Sequence, residues 1–153
     1  MIHTINISTI LVALTGTLLL FTACGNDHDH HYSPVGIILS QGDDMLVTQE
    51  EGVVTYATGD AIPVPAGEST QTISVAFISD DGHHFTPEAG EYSLRHTIGN
   101  EEVLGVTHPV DGDEWSFRMN GLQAGSSTIQ LELWHAGHSD FRSQNFQVSV
   151  TEQ

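Results

Sequence analysis

Ten histidines in a chain of 153 residues, set among carboxylates and accompanied by a single thiol, point first to metal chemistry. Neutral imidazole beside carboxylate suits Zn²⁺ or Cu²⁺. The most pointed spacing is His135-Ala136-Gly137-His138-Ser139-Asp140, a His-x-x-His pair in turn-forming sequence followed by an aspartate. His83 and His84 follow Asp80-Asp81-Gly82, and His108 precedes Asp111 and Asp113. Zinc and copper sites draw ligands from more than one segment, so these pieces need a fold to assemble them. The expected ligand set is His83, His84, His108, His135, His138 and Asp140, with Asp140 or Asp81 also able to fix an imidazole tautomer as a hydrogen-bond acceptor. A second tract, Asp27-His28-Asp29-His30-His31, reads either as a solvated linker or as a weak metal collector.

Other chemistries have less support. The chain has no G-x-S-x-G elbow and no H-E-x-x-H pair, so a non-enzymatic role is expected, with a metal hydrolase built from the same histidines as a third reading. Asp80-Asp81-Gly82 and Asp111-Gly112-Asp113-Glu114 invite a calcium reading. Neither has EF-hand spacing, and Asp-Gly reads as a turn.

The elements that must position the histidines are strands. Beyond Pro34 no window keeps a helical period, while alternation of two recurs between turn clusters. Strands are expected at Val35 to Ser40, Met45 to Thr48, Val53 to Thr58, Thr70 to Ser79, Glu91 to Ile98, Glu102 to Thr107, Glu114 to Asn120, Thr128 to His135 and Asn145 to Thr151. Inward rows would be Ile73, Val75 and Phe77; Tyr92, Leu94, His96 and Ile98; Trp115, Phe117 and Met119; Ile129, Leu131 and Leu133; and Phe146, Val148 and Val150. His96 is thereby expected in the core and outside the ligand set, while Trp134 faces away from it. If chain direction alternates from strand to strand, the loops carrying His83 and His84, His108, and His135 with His138 converge on one rim. The fold expected is an all-β sandwich of immunoglobulin-like or Greek-key type over residues 35–153.

Twenty carboxylates face three cations, Arg95, Arg118 and Arg142, for a formal net charge of −17. Such a surface repels phosphate backbones, so nucleic acid is excluded as a partner. Cys24 is the only cysteine, so no disulfide joins two parts of this chain.

Cys24 has another explanation. Ile10 to Ala23 is a continuous weakly polar stretch, too short to span a bilayer and suited to a signal-peptide core. Phe21-Thr22-Ala23-Cys24 resembles the bacterial lipobox, which implies removal of residues 1–23, diacylation of Cys24 and anchorage in a lipid bilayer, with an uncleaved anchor as the alternative. Residues 24–34 would then be a His/Asp-rich tether. Gly25 after the cysteine is unlike a retention signal, so the expected address is the cell envelope, at the outer membrane of a Gram-negative bacterium. The turn Asn120-Gly121-Leu122-Gln123-Ala124-Gly125 resembles the E-to-F connection of immunoglobulin-like domains in bacterial surface proteins. Leu133 to Phe141 is similar to the last strands of small histidine-containing bacterial lipoproteins. Two functions follow as expectations. The first is a lipid-anchored Zn or Cu binder serving a membrane transport or surface protein; the second is an immunoglobulin-like module binding a protein or glycan.

Overall fold

Alternating apolar residues bury one side of an extended chain and leave the other to water, and short turns let such strands pair. The computed structural model describes residues 33–152. The leader, Cys24 and the tract from His28 to His31 lie outside the described residues, as does the proposed tether apart from its last two positions.

β1 (Pro34–Gln41), β2 (Asp44–Glu50) and β3 (Val53–Tyr56) form successive antiparallel hairpins. Their turns use Gly42 and the pair Glu51-Gly52 at positive φ, the backbone that matches strand twist in two-residue loops. The chain then crosses to the other sheet as β4 (Ile62–Pro65), and returns as β5 (Ile73–Ser79) and β6 (His84–Phe85). β7 (Tyr92–Ile98), β8 (Leu104–Thr107), β9 (Ser116–Gly121), β10 (Gly125–His135), β11 (His138–Arg142) and β12 (Phe146–Thr151) complete the described chain.

The first sheet runs β3-β2-β1-β5-β9-β8, with β6 also beside β5. The second runs β11-β10-β12-β4, with β7 also on β10. All pairings between strands are antiparallel except β12 with β4. The architecture is therefore all-β, in two sheets, and sandwich-like. Glu132 to His135 pair with both β7 and β11, so these strands flank β10. β11 and β12 lie end to end along β10, broken at Ser143, whose Oγ accepts from the Leu131 N–H at 2.9 Å.

The apolar rows expected from alternation meet between the sheets. Ile73, Val75, Phe77, Phe117, Met119, Ile129, Leu131, Leu133, Phe146, Val148 and Val150 are all buried, as is Trp115 just before β9. Ile37, Leu39 and Val47 join the same cluster, so the Val35 to Thr58 region belongs to the sandwich. Phe77 sits at a junction. Its ring meets Phe85 at 6.0 Å, Trp115 at 5.8 Å and Phe141 of the opposite sheet at 5.9 Å, the last two edge-on.

Three strands have no counterpart among those expected. β4 reads Ile-Pro-Val-Pro, β6 has two residues, and β11 lacks apolar alternation. His96 departs from expectation in another way: it has the inward parity of Leu94 yet is exposed, because β7 is paired through β10 alone and its flank is open.

Truncating the junction ring removes dispersion contacts to both sheets and leaves a cavity. Phe77→Ala is expected to cost about 3–5 kcal/mol of stability, read as a lower urea midpoint.

Candidate metal centre

The site is built on the hairpin of β10 and β11. His135 and His138 are opposite residues in the pairing, so both project to the same face and their rings lie 5.8 Å apart. Between them Ala136 and Gly137 both have positive φ, at 46° and 92°, the type I′ turn that joins strands in two residues. The register then skips. Leu133 faces Phe141 and Trp134 faces Ser139, leaving Asp140 as the extra residue of a β-bulge. A bulge re-aims the side chain it carries. Here it brings Asp140 to the histidines: Oδ1 lies 2.7 Å from His138 Nε2, and Oδ2 lies 3.3 Å from His135 Nδ1.

β7 supplies the opposite wall. Tyr92 is the partner of His135 in the β7–β10 pairing, and the two rings stack at 4.3 Å and 23°. Burial, then the neighbouring Glu91 and Asp140 carboxylates, push the Tyr92 phenol above its ordinary pKa, which keeps it neutral. Glu91, one residue earlier, places Oε1 3.3 Å from His135 Nε2. His135 and Asp140 are sheltered, at 21% and 24% side-chain exposure, while His138 and Glu91 face solvent at 64% and 60%.

Donor atoms of His135, His138 and Asp140 all lie within 4.8 Å of one another, and among the described residues they form the group able to hold a metal ion. Tetrahedral zinc with bonds of about 2.0–2.2 Å places neighbouring ligand atoms about 3.4 Å apart. The His135–Asp140 spacing already matches. The His138–Asp140 pair is at hydrogen-bond distance and would have to open by about 0.7 Å to take a metal. With Nδ1 on the metal, the Nε2–H of His135 donates to Glu91, the arrangement in which an outer carboxylate fixes the tautomer and raises ligand basicity.

The other expected ligands lie elsewhere. β10 starts at the end of the sandwich where Gly121, Val150 and Ala66 meet, β5 is entered from that end past Thr70 and Met119, and both run toward the opposite end, where Phe77 meets Phe141. The loop holding His83 and His84 therefore does share the rim with the β10–β11 turn, but in the other sheet and outside the three-residue group. His83 Nδ1 pairs with Asp81 Oδ2 at 2.9 Å, and His84 is exposed on β6. Asp81 is held down at about 2 by the Ser79 hydroxyl first, then by the backbone N–H and side chain of His83. With Gly82 at positive φ, this segment is a self-satisfied turn. The Asp111-Gly112 pair, both at positive φ between the bridged Val110 and Asp113, is likewise a turn.

His108 does not reach the rim, a correction to the expected convergence. Thr107 lies level with Arg118, and Phe117 with Ile73, so His108 stands beside the beginning of β5. That is about 20 Å short of its far end at 3.3 Å per residue. Its Nε2 meets the Glu114 carbonyl at 3.0 Å, and its ring meets His96 edge-on at 5.9 Å. Partial burial, then His108, push the His96 pKa below its ordinary value. Glu91 and Tyr92 were not foreseen as site residues, because their place beside His135 depends on a pairing across more than forty positions of sequence.

No family model matches the chain, and no curated protein matches it. Among solved structures, the crystal structure of domains 4 and 5 of the S-layer protein SbsC is similar, with a TM-score of 0.41 and 18% identity over 78% of this chain. The aligned region spans 65% of that structure.

Two outcomes follow from the geometry. Ala136 holds a left-handed backbone that asparagine tolerates better, so Ala136→Asn is expected to raise stability by about 0.5–1 kcal/mol in urea melts. Because the folded state disfavours protonated His96, the unfolded chain takes up that proton first. Stability is therefore lost as pH falls through 6.5, the loss becoming complete below the folded pKa. His96→Gln is expected to narrow the difference between melts at pH 7 and pH 5; an unchanged difference refutes this.

Proposed function

We propose that this chain is a non-enzymatic, lipid-anchored protein of the cell envelope that binds Zn²⁺ or Cu²⁺ through His135, His138 and Asp140. The observation that carries the reading is the pooling of those three donor sets on one two-residue hairpin, with Glu91 behind His135. Three protein ligands leave a further coordination position open to water or to a ligand from a partner. That suits a protein that buffers a metal and hands it to a membrane transport or surface protein. Anchorage through acylated Cys24, at the outer membrane of a Gram-negative bacterium, is part of the same proposal and rests on the lipobox resemblance.

The immunoglobulin-like reading also belongs here. It is supported by the short connection from β9 to β10, which carries the chain from one sheet to the other at the turn that suggested it. In this reading the fold is a carrier that presents the hairpin at the end of the sandwich, and its sheet faces are left for a protein or glycan.

Metal that binds the folded state alone stabilises it by about 2.7 kcal/mol at one hundred times Kd. Thermal unfolding of the full chain in detergent is expected to shift upward with zinc or copper, and His135→Ala/His138→Ala is expected to abolish the shift. Metal held by the tract from His28 to His31 would leave the melting of the sandwich unchanged, so the readout isolates the hairpin. An equal shift in both proteins, or none in either, refutes the site.

A further inference from the structure

The strand that turns His135 inward turns Trp134 outward, onto a face of unusual composition for this chain. β4, β7, β10, β11 and β12 present their outward positions on the far side of the second sheet. Across that face Glu132 is the sole outward carboxylate on the strands, in a chain with 20 acidic residues. Two of the chain's three cations flank it: Arg95 on β7 and Arg142 on β11 are both its register partners. Arg142 Nε binds Glu132 Oε1 at 2.7 Å, which leaves Arg95 as the surplus charge. The Arg95 guanidinium lies over the Trp134 ring, 3.6 Å from its centroid, a contact that holds the cation on this face.

Most of the remaining outward positions are hydroxyls and amides, among them Thr97, Gln130, Gln147 and Ser149. At the end of the face remote from Trp134 lies a shallow depression of about 250 Å³, lined by Gly99, Asn100, Ser126, Ser127, Thr128 and Gln147 without a charged group. From Thr128 to Trp134 the strand covers about 20 Å. The outward strand positions are thus rich in neutral donors and acceptors, with two arginines against one carboxylate near one end.

We infer that this outer sheet face docks an extended carboxylate-bearing polysaccharide, its acid groups on Arg95 and Arg142 and its neutral hydroxyls on the Thr128 and Gln147 end. Charge complementarity favours this occupant, because here a polyanion meets arginines where the acidic chain otherwise repels it. An extended peptide binds a sheet by adding to a free edge, such as the open flank of β7, whereas the face itself offers side chains alone. Guanidinium groups take carboxylates through two parallel N–H donors, and side-chain amides and hydroxyls satisfy sugar hydroxyls without the aid of a strand edge.

The test is native gel electrophoresis of the full chain in nonionic detergent and EDTA, through gels containing polygalacturonate, dextran or polyglutamate. Polygalacturonate is expected to retard the protein and the other two polymers are not. Arg95→Gln/Arg142→Gln is expected to weaken the retardation about tenfold, the equivalent of losing a charge-assisted contact. If that variant does not melt cooperatively, Arg95→Gln alone carries the comparison, since Arg95 is exposed and supplies the surplus charge. No retardation, or equal retardation of the arginine variant, overturns the inference. Equal retardation by polyglutamate reassigns the face to acidic peptides and overturns it too. Loss of retardation in His135→Ala/His138→Ala, with metal removed by EDTA, overturns it in favour of docking at the rim.

Discussion

The rim chemistry depends on β10 being paired on both sides over its last four residues. An eleven-residue strand that took β12 along one side alone would end in a frayed terminus, and His135 would be a mobile surface group. Instead β7 brings Tyr92 and Glu91 to one side of His135, and β11 brings His138 and Asp140 to the other. Stacking on Tyr92 sets the plane of the imidazole, and Glu91 and Asp140 offer a carboxylate to each of its two nitrogens. The inward row Ile129, Leu131, Leu133 anchors the strand in the core just below. Hydrophobic burial thus sets the position of a polar site that contributes little burial of its own.

Local periodicity was legible where it was strong. The rows through Phe77, Leu131 and Val148 could be read because alternation of two is a property of neighbours in sequence. β4 was hidden by prolines at every second residue, and β11 by a run of His-Ser-Asp whose strand character comes from the hairpin. The pair His135 and His138 and the nearby Asp140 could likewise be named from spacing. That Asp140 reaches both depends on a one-residue slip in register, which no pattern announces. His108 was misplaced because the alternating-direction argument is right about which way a strand points and blind to how far it overlaps its neighbour: β9 meets only the first two residues of β5.

Acidity and the lack of lysine set the background against which both candidate surfaces stand out. With three cations against 20 carboxylates, most acidic groups rely on water, salt or neighbouring donors. Asp81 solves this within its own turn, and Asp140 with two imidazoles. The outer face of the second sheet takes a third course, with almost no acid to compensate. Adjacent residues of one strand, Trp134 and His135, consequently belong to different surfaces of the molecule, and strand alternation keeps the two insulated from each other.

The two-residue turn between His135 and His138 has a consequence for how this protein can vary. Surface loops ordinarily absorb insertions at little thermodynamic cost. Here an inserted residue would break the opposition of the two imidazoles, and a deletion would leave the reversal without the residues that make it. Lengthening the segment after Asp140 would move the bulge and swing the carboxylate away. The hairpin can therefore drift in residue type at Ala136 and Ser139, whereas its length is locked, and any reshaping of the rim by gain or loss of residues must fall on the loops of the other sheet.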